Sequence, residues 1–94
     1  MTKQPEILTW EALRAREEVI GEVEMMILLS GYFTRQERKV LLTCTQDCSN
    51  QEVAEILRIA ESTVKVHKRT ISRKMDIHGQ VEFRKFLVWV RRFL

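Results

Sequence analysis

Two helix-start signals fifteen residues apart constrain this chain more than any other feature. Thr34 with Glu37, and Ser49 with Glu52, each form a capping box. In that arrangement the hydroxyl accepts from a backbone N–H of the first helical turn, and the carboxylate reaches back to the cap residue. The first box predicts a helix to about Thr45, with Val40, Leu41 and Cys44 facing inward. The second predicts a short helix to about Leu57, with Val53, Ala54 and Leu57 inside. Arg58-Ile59-Ala60 leaves room only for a tight connection before a helix from Glu61 to about Met75. His78-Gly79 breaks that helix, and a last one runs from about Gln80 to the end.

The rest of the chain agrees with an all-α fold. Only three Gly and one Pro occur in 94 residues, so long helices and short turns follow more naturally than a many-stranded sheet. Pro5 suits the first position of a helix. From there, Leu13, Ile20 and Ile27 fall on one line, flanked by Ala12, Val19, Val23 and Met26. This spacing predicts one long amphipathic helix over residues 1–31. Gly21 interrupts it, and Ser30-Gly31 is the expected stop, with Gly31 left-handed. Residues 32–94 then form the second unit.

The length fits one domain, and 45% apolar with 31% charged residues is a globular balance. The longest apolar run, Met25 to Leu29, is far too short to span a membrane, and the N-terminus lacks a signal-peptide core. A cytoplasmic protein with no membrane partner is expected. Cys44 and Cys48 match no common zinc spacing with His67 and His78. They read as small thiols in a reducing compartment, and no metal or cofactor is expected.

Charge is graded along the chain. Residues 1–30 hold three Lys/Arg against six Glu, and residues 61–94 hold nine Lys/Arg against three Asp/Glu. The net charge of +3 is thus an acidic first third and a basic last third, which suits a polyanion partner. On the helix from Glu61, Val64, Ile71 and Met75 share one side, while Lys65, Lys68, Arg69, Ser72 and Arg73 lie toward the other. A helix fits the DNA major groove, where Arg and Lys match the guanine O6/N7 edge. Ser62 and Thr63 at its start can donate to phosphate, aided by the helix dipole. A short helix, a tight turn and a two-faced second helix make a helix-turn-helix.

Residues 33–79 resemble the LuxR/GerE-type helix-turn-helix domain. The likeness rests on Phe33-Thr34, Glu37, Val40-Leu41, Ser49-Asn50-Gln51-Glu52-Val53-Ala54, Leu57, Glu61-Ser62-Thr63-Val64-Lys65-Val66-His67, Ile71, Lys74-Met75 and Ile77. The resemblance implies a four-helix domain whose helix from Glu61 reads double-stranded DNA. It implies that Lys65, Val66 and Arg69 reach bases, and that Ser62, Thr63, Lys68, Arg73 and Lys74 lie near phosphates. It also implies dimers on inverted repeats. Three positions depart from the family pattern: Gln36 replaces an Arg, Asp47 a Gly, and Ala60 the capping Ser before the recognition helix.

The final helix is apolar over much of its circumference. Phe86, Trp89, Val90, Phe93 and Leu94, together with Ile20 and Ile27 of the N-terminal helix, are expected to meet a second copy or a protein partner. Thirty residues ahead of the domain leave no room for a receiver or sensor. The favoured function is a sequence-specific transcription regulator acting as a homodimer. The alternative is an adaptor of the same fold that binds another regulator or RNA polymerase. No nucleophile–base pair, paired carboxylate site or phosphate loop points to an enzyme.

Overall fold

The computed structural model describes residues 9–94, so the expected helix start at Pro5 lies outside the described residues. Seven helices follow: α1 (Trp10–Ala15), α2 (Glu17–Ile20), α3 (Glu22–Tyr32), α4 (Arg35–Cys44), α5 (Asn50–Leu57), α6 (Glu61–Met75) and α7 (Gly79–Val90). There is no strand among the described residues. Helices α4 to α7 keep the expected order and nearly the expected bounds.

Both capping boxes form as read. The Glu37 N–H donates to the Thr34 hydroxyl at 3.2 Å, and the Thr34 N–H donates to Glu37 Oε1 at 2.9 Å. Ser49 and Glu52 repeat the exchange at the same two distances. These bonds satisfy amides that have no partner within the helix.

The N-terminal segment departs from expectation. Instead of one long helix it is three short ones, divided at Arg16 and at Gly21. Gly21 has φ +82°, a left-handed value that ends α2 and re-aims the chain into α3. The break rotates the buried face. Leu13 is buried as expected, but the inward residues after the break are Met25 and Leu29, and Ile27 and Val23 point outward. Gly31 is not a stop either; α3 passes through it to Tyr32, and Phe33 is the extended residue before the Thr34 cap.

One core runs through both segments. It joins Trp10, Leu13, Met25 and Leu29 to Val40, Leu41, Val53, Val64, Ile71 and Met75, and onward to Phe86, Trp89, Val90 and Phe93. Trp10 makes edge-on contacts with Phe86 and Trp89 at ring-centre separations of 6.0 and 6.2 Å. The Trp89 indole N–H donates to Glu17 Oε2 at 3.3 Å, and Arg92 pairs with Glu17 Oε1 at 2.5 Å. The N-terminal helices thus cover the aromatic side of α7. This corrects the expected role of Phe86, Trp89, Val90 and Phe93, whose side chains are buried within their own chain. Leu94 is half-buried against the same core, as is Ile20. Of the expected partner residues only Ile27 is exposed.

Candidate nucleic-acid interface

The site is built on α5, a three-residue turn and α6. The turn closes because Arg58 takes a left-handed conformation, φ 57° and ψ 48°. That geometry lets the Ile59 N–H donate back to Ala54 O at 3.0 Å. Helix α6 then starts at Ala60, whose side chain makes no cap bond. The departure from the family pattern at this position is therefore a helix start without a side-chain cap. The departure at Asp47 has a different meaning. Asp47 has φ 59°, a left-handed backbone that glycine favours and that aspartate tolerates.

Helix α6 has the two faces its sequence predicts. Val64, Ile71 and Met75 are fully buried. Ser62, Lys65, Val66, Arg69 and Arg73 are exposed along the opposite side, while Thr63 and His67 are half-buried at the border. Lys65 and Arg69 stand one turn apart. At fifteen residues, α6 is about 22 Å long, enough to present several side chains to one groove.

Two expected phosphate cations are turned to other work. Lys74 Nζ lies 2.6 Å from Glu37 Oε1 and 3.4 Å from the Tyr32 carbonyl. The Tyr32 hydroxyl in turn donates to the Lys74 carbonyl at 3.3 Å. Lys74 is thereby a strut between α6 and the α3–α4 junction. Lys68 Nζ donates to Asn50 Oδ1 at 2.7 Å and lies 5.4 Å from the Phe83 ring centre, which ties α6 to the start of α5. Of the expected phosphate set, Ser62 and Arg73 are the exposed members.

Sequence reasoning missed two cations beside the exposed face of α6. A groove between α6 and α7 is lined by Lys65 and Arg69 on one wall and by Arg84 and Arg91 on the other. The signal was present: positions 84 and 91 are seven apart, two helical turns, with Arg91 the residue that caps α7. Cys44 and Cys48 also line this groove, as free thiols. Burial pushes the Cys44 thiol up, with the Lys68 charge opposing and Cys48 adding to the shift. Among the described residues, no group of three or more His, Cys, Asp or Glu is placed to hold a metal ion. No helix of the described residues is long and apolar enough to cross a membrane.

The profile of the bacterial regulatory proteins of the luxR family matches residues 32–86, more than half of the chain. The chain belongs to the luxR family. Residues 32–86, which hold α4 to α6 and most of α7, are its helix-turn-helix DNA-binding domain. Similar luxR-family proteins include the nitrate/nitrite response regulator protein NarP of Escherichia coli strain K12, 38% identical over 69 residues. That match covers 73% of this chain and 30% of NarP. A glycerol metabolism activator of Pseudomonas putida is 43% identical over 49 residues, 52% of this chain and 22% of its own. The nitrate/nitrite response regulator protein NarL of Escherichia coli strain K12 is 39% identical over 59 residues, 63% of this chain and 26% of its own. The chain thus spans less than a third of the length of these relatives. No solved structure matches it.

Proposed function

We propose that this protein is a cytoplasmic transcription regulator that reads a specific DNA sequence as a homodimer on an inverted repeat. One observation carries the reading: α6 buries Val64, Ile71 and Met75 and leaves Lys65, Val66 and Arg69 exposed in a row. Those three side chains discriminate bases in the major groove, the cations through guanine edges and Val66 through apolar contact. Ser62 and Arg73 hold phosphates, with Thr63 at the edge of reach. Two copies set two α6 helices about one DNA turn apart, which matches an inverted repeat.

The second reading is an adaptor that meets another regulator or RNA polymerase through protein contact. The exposed Val19, Val23 and Ile27 of the N-terminal helices favour it. Selection from random duplex DNA, with the Lys65→Ala/Arg69→Ala double variant alongside, separates the two. Enrichment of an inverted repeat by the parent alone is the expected result. No enrichment by a folded parent would favour the adaptor.

A further inference from the structure

Two exposed surfaces of this chain, one on α7 and one on α3, have complementary chemistry. The outer face of α7 presents Val81 and Val88, 73% and 66% exposed, in a shallow groove against the edge of Trp10. Arg14, Arg84 and Lys85 rim that groove, and no carboxylate among the described residues lines it. The outer face of α3 presents Val23 and Ile27, 69% and 68% exposed, one helical turn apart. Glu22 and Glu24 stand beside them, exposed, with Glu18 just across the Gly21 break. Each face is a pair of branched apolar side chains, one bordered by cations and the other by carboxylates.

An isolated exposed valine means little, but a contiguous apolar strip edged by one sign of charge marks a contact surface. Covering both strips removes apolar area from water, and matched charges set the register. We infer that the α7 groove of one copy receives the α3 face of a second copy, Val23 and Ile27 seating against Val81 and Val88. Glu22 and Glu24 then meet Arg84 and Lys85. A pair closed by a two-fold axis makes this contact twice, because each copy carries both surfaces. This contact would bring the N-terminal helices, which lie mostly outside the region shared with the luxR family, into the dimer.

The inference rests on the homodimer reading but is tested without DNA, so the two can fail separately. Sedimentation equilibrium of the full chain at low and high salt measures self-association. Two charge reversals are compared with it, Glu22→Lys/Glu24→Lys and Arg84→Glu/Lys85→Glu, each checked for helix content by circular dichroism. Each reversal alone is expected to weaken association at least tenfold, and an equimolar mixture of the two is expected to restore it, since the reversed faces again attract. A chain that stays monomeric overturns the inference. So does a dimer insensitive to the α3 reversal but lost on the α7 reversal, which would mean α7 pairs with α7. If the reversed faces prove insoluble, Val23→Ser and Val88→Ser supply the same comparison, and association unchanged by both overturns the inference. An inverted repeat enriched from random DNA alongside any of these negative results would leave the DNA-reading function standing.

Discussion

Lys74 and Glu37 join the last turn of α6 to the first turn of α4 across 2.6 Å, with the carboxylate almost entirely buried. Glu37 serves two structures at once, because its Oε1 also accepts the Thr34 N–H that closes the capping box. Burial alone would push this carboxyl up. The Lys74 hydrogen bond, the bonds with Thr34 and the Lys74 charge outweigh burial and hold it below the ordinary value near 4.5. A folded-state value below the unfolded one gives stability that is fully present above the unfolded value and is lost as pH falls through the folded one. Stability should therefore drop as pH is lowered below about 4.5. Glu37→Gln should cost about 1–3 kcal/mol at neutral pH and flatten this acid response. Urea unfolding at a series of pH values checks both, and parallel acid profiles for parent and variant would remove Glu37 as the cause.

Arg58 occupies the left-handed position of the turn, a conformation that short polar side chains such as those of Asp47 and Asp76, the two other non-glycine residues at positive φ among the described residues, tolerate better than a long one. Arg58→Gly should stabilise the fold by about 0.5–1 kcal/mol, the relief of backbone strain exceeding the extra freedom glycine brings to the unfolded chain. Thermal unfolding measures it, and a lower midpoint would show that Arg58 makes a compensating interaction.

Ala60 leaves the amides at the start of α6 without a side-chain acceptor. Ala60→Ser should add about 1 kcal/mol by capping the recognition helix. Its extended backbone, φ −70° and ψ 148°, already suits a cap residue. The gain is read by denaturant unfolding and by slower amide exchange in the first turn of α6. Exchange left unchanged there would mean that the serine does not reach the amides.

Arg69 and Arg73 are both exposed on α6 but one turn apart, and they should fail differently. Arg69→Ala should flatten preference at one base position, with a loss of about 1–3 kcal/mol on the preferred site. Arg73→Ala should weaken all sequences alike and lower the salt dependence by about one ion. Binding titrations on matched and mismatched duplexes at several salt concentrations distinguish them. Equal, sequence-independent losses from both would cancel the division of roles.

Helices α4 and α5 were legible because their starts are written locally, in hydroxyl–carboxylate pairs three residues apart, and α6 because Val64, Ile71 and Met75 repeat at helical spacing. The N-terminal segment was not legible by the same reasoning. Leu13, Ile20 and Ile27 align only if the helix is continuous, and a single left-handed Gly21 discards that alignment in favour of Met25 and Leu29. The partners of Lys68 and Lys74 were also hidden, since Asn50 and Glu37 lie 18 and 37 residues away in the chain. Periodicity revealed that the final helix has too much apolar surface for one face. It did not reveal that Trp10 of the same chain would pack on Phe86 and Trp89.

That last arrangement has a spectroscopic consequence. The chain has two tryptophans, and both lie at one junction, Trp10 of α1 against Trp89 of α7. Tryptophan fluorescence of this protein therefore watches the docking of α1 against α7. A probe that needs no label can follow whether the amino-terminal helices stay docked while the recognition helix is occupied.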